Sequence, residues 1–353
     1  MTAAHNQSDI DEIVRRLGAA TQALAGKHVL LTGAAGFLGG YFCAVFAALN
    51  RGVLSKPVHV TAMDNLITGA PPDGGAFADK AIRFVQADVA KPRKIDAKVD
   101  YIIHTAGIAS PFHYRRYPVE TLDVAVNGTR NLLELAKAKR ARFTFFSSSE
   151  IYGDPDPAHV PTMESYRGNV SSMGPRACYD ESKRVGETLC YIFHEHFDVE
   201  TTCIRPFNVY GPGMRETDYR VLPNFASGIK AGRPLRIYGT GKQTRTYCYI
   251  TDAMVGFYQV VLRGLPGQPY NIGSAAPEIS VHQLVEAIEK MLGRKIERQA
   301  IEHPDSYPAD EPQRRCPDLR KAMSHLDFRP ERTLEEGLRR FLEWTDRTYT
   351  GNP

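Results

Sequence analysis

The sequence predicts an α/β protein built on a doubly wound parallel sheet, with a smaller C-terminal substrate domain interleaved with it. Short apolar segments typical of buried strands recur at 28–32, 59–63, 82–86, 100–104, 142–146 and 200–204. Helical patterns at about 118–138 and 177–196 separate the later segments, and strands that alternate with helices favour parallel pairing. After Arg205 the chain becomes rich in Gly, Pro and Arg, which indicates a change of domain.

Three regions follow from these patterns. Residues 1–26 are expected to form an N-terminal appendage helix with Ser8 as its N-cap, and a partly disordered leader is the alternative. The nucleotide-binding domain is predicted at 27–205, with about 240–262 added to it. The substrate-binding domain is predicted at 206–239 and 263–350.

Composition restricts the classes of function. The chain has 353 residues and a net charge of +4 without a basic block, so no nucleic-acid partner is expected. No apolar run approaches the roughly 20 residues that a membrane span needs, and the N-terminus lacks a signal-peptide core. The six cysteines show no metal-ligand spacing, so we predict no metal site and a cytoplasmic location.

A glycine-rich turn follows the first strand, in TGAAGFLGG at 32–40. Gly33 allows the tight turn, Gly36 lets backbone N–H groups approach a pyrophosphate, and Gly39 lets helix and strand pack closely. Phe37 and Leu38 complete this predicted cofactor contact. The strand–turn–helix context is the one that a Rossmann-type dinucleotide site requires.

Asp64 ends the second predicted strand, twenty-five residues after Gly39. A carboxylate at this position accepts hydrogen bonds from both ribose hydroxyls and repels a 2′-phosphate. The predicted cofactor is therefore NAD rather than NADP.

Proton chemistry is indicated by YDESK at 179–183, which puts Tyr179 and Lys183 four apart on one helix face. The Lys⁺ and a positive nicotinamide both favour phenolate, so we expect the pKa of Tyr179 to fall from ~10 toward working pH. Such a phenolate takes a proton from a sugar hydroxyl while hydride leaves for the cofactor.

The glycine turn and the Tyr/Lys pair together resemble the short-chain dehydrogenase/reductase superfamily in its extended, nucleotide-sugar branch. The resemblance covers roughly residues 27–345. It implies further cofactor contacts through DNLITG (64–69), AD (87–88) and HTAG (104–107). The residues concerned are Asn65, Asp88 as the ligand of adenine, the neighbouring Val89, and Ala106.

The stretch FFSSSEIYGDP (145–155) narrows the branch. In this superfamily a Ser or Thr at the position of Ser148 binds the reacting sugar oxygen. The dehydratases carry Asp-Glu at the next two positions, and simple epimerases tend to carry small or neutral residues. Ser149-Glu150, with Arg245 in a G-x-G-x-Q-T-R context, resembles the UDP-glucuronate decarboxylases, including the UDP-xylose synthases.

The same resemblance implies substrate contacts. Asn208 in FNVYGPGM and Arg315 in DEPQRRCPD would contact the diphosphate, and Tyr238 would lie near the uracil. Asn224 and Tyr114 would face the substrate elsewhere.

Several positions depart from the family pattern. Gly213 stands where the decarboxylases have Arg. Ala125 stands where an Asn often supports the catalytic Tyr through a water, with Asn127 two residues on. These changes concern the exact sugar more than the reaction class.

The function implied is NAD-dependent decarboxylation of UDP-glucuronate to UDP-xylose through a 4-keto intermediate. Glu150 would manage the proton near C5, while Ser149 and Arg245 would position the acidic end of the sugar. A nucleotide-sugar 4-epimerase, a 4,6-dehydratase and a non-catalytic NAD-binding protein are the alternatives. A homodimer is expected by analogy, through helices whose apolar stripes include Leu122 and Ile192.

Overall fold

The structure is a computed structural model that describes residues 5–72, 74–302 and 311–352. Its strands, in chain order, are β1 His28–Thr32, β2 His59–Asp64, β3 Ile82–Gln86, β4 Tyr101–His104, β5 Arg142–Phe146, β6 Thr201–Pro206, β7 Val209–Tyr210, β8 Leu235–Tyr238, β9 Thr244–Arg245, β10 Cys248–Tyr249, β11 Gln268–Ile272, β12 Ile279–Ser280, β13 Arg298–Ile301 and β14 Arg314–Arg315. Its α-helices are α1 Gln7–Leu17, α2 Phe37–Asn50, α3 Pro111–Arg116, α4 Pro118–Asp123, α5 Thr129–Lys139, α6 Ala177–Phe197, α7 Val221–Lys230, α8 Ile250–Arg263, α9 Val281–Leu292, α10 Arg320–Leu326 and α11 Leu334–Thr348.

Seven parallel strands form the central sheet, in the order β11-β6-β5-β4-β1-β2-β3. The strand order reverses between β1 and β4, which pair from Val29 with Tyr101 to Thr32 with His104. A ligand crevice opens at such a reversal, outside the carboxyl ends of the strands. The predicted doubly wound α/β class is confirmed.

The sheet divides the apolar core into two layers. One layer contains Phe42 and Phe46 of α2 together with Phe257 of α8. The other contains Leu133 of α5 and Phe193 of α6. Both faces of the sheet are therefore covered, which explains why its strands read as continuous apolar runs.

The N-terminal helix α1 packs through Ile10 and Ile13, both buried. Its N-cap is Asn6, whose side chain accepts from the Ser8 N–H, so the expectation of Ser8 as the cap was wrong. Because the helix begins at Gln7, the residue directly before it is Asn6, and the Asn6 side chain caps the first turn. The α-helix ends at Leu17 and a 3-10 turn continues to Leu24. Residues 1–4 of the predicted appendage lie outside the described part of the chain.

Ion pairs join α1 to the end of the chain. The Asp9 carboxylate lies 2.9 Å from Arg340 Nη1 and accepts from the Tyr249 hydroxyl at 2.8 Å. Glu12 lies 2.8 Å from both Arg332 and Arg340. Helix α1 is thus tied to α11 and to the segment before it.

Three small sheets follow the central one: β7 with β10, β8 with β13, and β12-β9-β14. Strands β9 and β10 follow each other closely but belong to different sheets, because the chain changes partner at Thr246 and Tyr247. Strand β11 joins the central sheet, although its residues fall in the 263–350 range predicted for the substrate domain. The proposed domain boundaries otherwise stay a prediction, and residues 303–310 lie outside the described ones.

Within the described ranges, each helix is either too short or too polar to cross a bilayer.

Candidate active site

A cavity of about 730 Å³ lies where the sheet strands end. Every residue that the sequence predicted for the site lines it. From the nucleotide-binding part these are Gly33, Gly36, Phe37, Leu38, Gly39, Asp64, Asn65, Asp88, Val89, Ala106, Tyr114, Ser148, Ser149, Glu150, Tyr179 and Lys183. From the later part of the chain they are Asn208, Asn224, Tyr238, Arg245 and Arg315. The structure therefore brings the predicted cofactor and substrate residues to one place, and their roles stay proposals.

The glycine turn sits against the end of β4. Gly33 has φ +73°, and a Cβ there would lie 2.6 Å from the Ala106 nitrogen. A Cβ on Gly39 would lie 2.1 Å from the Gly33 oxygen. Both positions exclude a side chain. Gly36 caps α2 without a side-chain acceptor, which leaves the first helical N–H groups for an anionic ligand.

The Asp64 carboxylate is fixed by two backbone donors. Oδ2 accepts from the Ala35 N–H at 3.0 Å and Oδ1 from the Leu66 N–H at 2.8 Å. A carboxylate has further lone pairs, so Asp64 can still accept from a pair of hydroxyl groups. Asp88 is held similarly, accepting from the Ala90 N–H at 3.0 Å.

Tyr179 and Lys183 are both buried on the first turns of α6. The Lys183 Nζ donates to the Phe146 carbonyl at 2.7 Å, and burial lowers its pKa to about 8. At neutral pH Lys183 is still mainly an ammonium. It lies 5.7 Å from the centre of the Tyr179 ring.

The expected lowering of the pKa of Tyr179 is not found in the chain by itself. Burial, with the charges of Glu150 and Asp180, raises that pKa to about 12, although a hydrogen bond with Ser148 opposes the shift. The physical reason is that Lys183 donates to the Phe146 carbonyl, while two carboxylates stand near the phenol. Tyr179 is therefore a neutral phenol until a positive charge is added beside it.

Tyr114 lies flat against Tyr179, with ring centres 5.4 Å apart.

Asn208 has φ +42° and donates through Nδ2 to the Thr246 carbonyl at 2.8 Å. This contact joins the end of β6 to the strand pair that carries Arg245.

A cluster of ion pairs fills the end of the cavity beside Tyr179. The Glu150 carboxylate contacts Arg176 and lies 2.6 Å from Arg315. The Glu311 carboxylate lies 2.8 Å from Arg176 and 2.6 Å from Arg245. Arg176 thus bridges the two glutamates.

The pKa values of two carboxyl groups in this region are shifted in opposite directions. Burial would raise the pKa of Glu150, but Arg176, Arg315 and Arg245 outweigh it and hold that pKa at about 2. Burial and the Glu150 charge raise the pKa of Asp180 to about 7. Glu150 is therefore ionised at neutral pH and accepts hydrogen bonds rather than donating a proton.

Several charged residues of the cavity were missed by the sequence analysis. Arg176 and Glu311 belong to the cluster, Arg220 pairs with Asp218 at 2.6 Å, and Arg215 donates to the Ala35 carbonyl at 3.2 Å. The signal for Arg176 was its place one helical turn before Tyr179. Glu311 could have been found from its place beside the Arg315 segment.

The structure shows where Ala125 and Asn127 lie, near the position at which the family often has an Asn. Ala125 is buried in a π-helical turn, Val124–Gly128. Asn127 turns outward and donates to Asp123 at 2.9 Å. Asn127 does not take over the position that Ala125 leaves without an amide.

Residues 29–273 match the NAD dependent epimerase/dehydratase family. The chain belongs to this family.

Related sequences narrow the comparison. The chain is 37% identical over 319 residues to UDP-glucuronic acid decarboxylase 1 of Xenopus tropicalis, covering 90% of this chain and 72% of the relative. It is 36% identical over 315 residues to UDP-glucuronic acid decarboxylase 5 of Arabidopsis thaliana, covering 89% and 88%.

Solved structures of other family enzymes share the fold. A dTDP-glucose 4,6-dehydratase of Streptomyces venezuelae, crystallised with NAD, has a TM-score of 0.78 at 24% identity, covering 91% of this chain and 97% of that one. A UDP-glucuronic acid 4-epimerase of Bacillus cereus, solved with NAD, has a TM-score of 0.74 at 24% identity, covering 91% and 100%. At this identity the likeness concerns the fold alone.

NAD is the cofactor of this epimerase/dehydratase family member, and the cavity fits it. The uncapped N-terminus of α2, at Gly36, offers N–H groups to a pyrophosphate. Asp64 offers carboxylate oxygens to the ribose hydroxyls and repels a 2′-phosphate. The buried Lys183 lines the same cavity, with its Nζ 5.7 Å from the centre of the Tyr179 ring.

A substitution in the glycine turn is expected to remove the cofactor. In Gly39→Ala the new methyl group would meet the Gly33 carbonyl, so β1 and α2 must separate and the pyrophosphate cradle is lost. We expect NAD affinity to fall about 100-fold or more, a loss of about 2.7 kcal/mol. Gly52→Ala is the control, because nothing lies within 4 Å of its Cβ position. Calorimetric titration with NAD that gave equal affinities for the two variants would contradict this account.

Proposed function

We propose that this chain decarboxylates a UDP-uronic acid, with UDP-glucuronate as substrate and UDP-xylose as product. One observation carries the proposal: Arg176 and Arg315 contact Glu150, and Arg176 and Arg245 contact Glu311, in the cavity that also holds Tyr179 and Ser148. A tyrosine that can take the proton of a hydroxyl group thus stands beside arginines that bind carboxylates. The identity of 35–37% to proteins named UDP-glucuronic acid decarboxylase supports the same reaction.

The first stage is oxidation at C4 of the sugar. Tyr179 takes the proton of the C4 hydroxyl, and Ser148, which is hydrogen-bonded to Tyr179, holds the same oxygen. NAD, when bound, accepts hydride in this stage and returns it in the last one. The positive nicotinamide and the Lys183 ammonium favour the Tyr179 phenolate, against the burial that raises its pKa in the free chain.

The second stage is loss of CO₂. The ketone at C4 is β to the C5 carboxylate, so breaking the C5–C6 bond leaves its electron pair in an enolate whose charge lies on the C4 oxygen. Tyr179, now protonated, and Ser148 donate to that oxygen. The ionised Glu150 disfavours the substrate carboxylate and favours its conversion to neutral CO₂. Ser149 and Arg245 position the acidic end of the sugar.

The third stage replaces the lost group with a proton at C5. Glu150 cannot be the resting acid, because its pKa is held at about 2. It instead orients a water that protonates C5. Tyr179 then returns its proton to the C4 oxygen as the ketone is reduced.

The reaction class is tested by mass and NMR analysis of products. NAD-loaded protein is incubated separately with UDP-glucuronate, UDP-glucose and dTDP-glucose. We expect UDP-glucuronate to lose one CO₂ and the two neutral sugars to stay unchanged. A product of unchanged mass with inverted C4 would identify a 4-epimerase, and loss of water from a neutral sugar would identify a 4,6-dehydratase. Cofactor binding without turnover of any of them would identify a non-catalytic protein.

We also propose that two copies of the chain associate through α4 and α6. Of the predicted apolar stripes, Leu133 and Phe193 are core residues, whereas Leu122 (42% exposed) and Ile192 (36% exposed) reach the surface. Nearby Val119 and Tyr191 are exposed as well. Helices α4 and α6 pack against each other, so these exposed apolar side chains lie on neighbouring helices, where a second copy could cover them. The cytoplasmic location and the absence of nucleic-acid and membrane partners stay predictions from sequence.

A charge on this face is expected to separate the copies. Ile192→Asp would bury a carboxylate in the proposed interface, so sedimentation equilibrium should show a monomer where the unmodified chain is a dimer. Leu292→Asp is the matched control, because Leu292 is as exposed as Ile192 but ends α9, which packs against α11, and the change should leave the dimer intact. A monomeric unmodified protein, or a dimeric Ile192→Asp, would contradict the proposed interface.

A further inference from the structure

The Glu311 carboxylate occupies a carboxylate site. Its two oxygens accept from different arginines: Oε1 lies 2.6 Å from Arg245 Nη2, and Oε2 lies 2.8 Å from Arg176 Nη1. Glu311 lines the cavity, and the arginines that bind it stand in the same cavity as Tyr179. A free carboxylate of a sugar could make the same two contacts.

The two arginines do not depend on Glu311 for their positions. Arg245 also donates to three backbone carbonyls, those of Thr244 at 2.8 Å, Gln313 at 3.3 Å and Pro312 at 2.6 Å. Arg176 is held from the other side by Glu150. If the Glu311 side chain turned away, both guanidinium groups would keep partners that orient them.

Charge balance favours exchange of one carboxylate for another. Three guanidinium groups, those of Arg176, Arg245 and Arg315, face the carboxylates of Glu150 and Glu311, and Arg176 also lies 3.5 Å from Asp180. Departure of Glu311 removes one negative charge from this set, which is costly in a buried site. A substrate carboxylate restores the resting balance, whereas a neutral sugar does not.

Glu311 is better placed to leave than Glu150. The Glu311 side chain is 22% exposed, against 16% for Glu150. Residues 311–313, which lead into β14, form neither helix nor strand. Glu150 lies in a 3-10 turn at the end of β5 and is bound by two arginines at one oxygen.

We propose that Glu311 occupies, in the ligand-free protein, the place between Arg176 and Arg245 that the carboxylate of a UDP-uronic acid takes. This rests on the proposed function and assigns Glu311 as a residue that determines selectivity for acidic sugars. An acidic sugar must displace Glu311, so its carboxylate is not bound so tightly that decarboxylation is slowed. Once CO₂ has left, Glu311 returns to the arginines, and the neutral product keeps no contact there.

The test compares an acidic and a neutral ligand that cannot be oxidised at C4. UDP-4-deoxy-4-fluoro-glucuronic acid and UDP-4-deoxy-4-fluoro-glucose are titrated by calorimetry into NAD-loaded protein. In Glu311→Gln we expect about tenfold tighter binding of the acidic ligand and less than about twofold change for the neutral one. Glu12→Gln is the control: Glu12 also bridges two arginines, Arg332 and Arg340, each at 2.8 Å, but does not line the cavity, so neither affinity should change.

Weaker binding of both ligands, or an unchanged ratio between them, would show that Glu311 only supports the arginines. Should Glu311→Gln fail to fold, a crystal structure of the unmodified protein with NAD and the acidic ligand decides. Glu311 displaced from Arg176 and Arg245 supports the proposal, and Glu311 still bound to both contradicts it. Neither measurement uses turnover, so an acidic-sugar site can be confirmed even if decarboxylation is not observed.

Discussion

Tyr179→Phe is expected to lower kcat with UDP-glucuronate by about 10²–10⁴-fold, because it removes the group that takes and returns the C4 proton. NAD binding should be kept, since the phenyl ring still stacks on Tyr114 and the glycine turn is untouched. The reduced cofactor should not accumulate on mixing with substrate, because oxidation itself is blocked. Stopped-flow absorbance and product NMR measure both effects.

Tyr258→Phe is the matched control for this substitution. Tyr258 is fully buried and its hydroxyl donates to the Phe42 carbonyl at 3.3 Å, away from the cavity. Its loss should cost about 1 kcal/mol of stability and leave kcat unchanged. A Tyr179→Phe variant that turned over at a rate close to the unmodified protein would remove Tyr179 from the chemistry.

Glu150→Gln is expected to stop the reaction at a later point. The charge that disfavours the substrate carboxylate and orients the C5 proton donor is lost, so turnover should fall about 10²–10³-fold. Tyr179 is intact, so oxidation at C4 continues and reduced cofactor should accumulate after mixing. NAD content should stay that of the unmodified protein.

The stability effect of Glu150→Gln needs its own control. Removing one partner of a buried ion pair costs up to about 3–5 kcal/mol, because Arg176 and Arg315 lose a counter-charge. Glu12→Gln breaks comparable buried pairs with Arg332 and Arg340, each at 2.8 Å, and Glu12 does not line the cavity. It should lower the free energy of unfolding similarly without changing turnover. Full activity in Glu150→Gln would remove Glu150 from the mechanism, and failure to reduce the cofactor would place its role before oxidation.

Local patterns explain why much of the fold was predictable. Strands β1 and β5 begin and end where their apolar runs do, because both faces of each strand are buried. The glycine turn was readable because Gly33 and Gly39 meet backbone atoms that exclude a side chain. The position of β11 was not readable, because strand pairing across the chain leaves no local mark on Gln268–Ile272.

The residues of the site likewise include some that the sequence reveals and others that only the fold reveals. Tyr179, Lys183 and Glu150 were found because their spacing or family context points to chemistry. Glu311 was missed because its function depends on Arg176 and Arg245, which are far from it in sequence. The raised pKa of Tyr179 in the chain without its cofactor could not be predicted, because burial and the position of Lys183 beside the Phe146 carbonyl are properties of the fold.

The central claim is that one cavity oxidises C4, removes the C5 carboxyl group and restores C4. NMR of the product formed from UDP-glucuronate by NAD-loaded protein in D₂O tests this claim most directly. The account predicts UDP-xylose with one deuterium at C5 and protium at C4, because the C4 hydride never leaves the bound cofactor. A product that keeps its carboxylate, with C4 inverted and no deuterium on carbon, would contradict it.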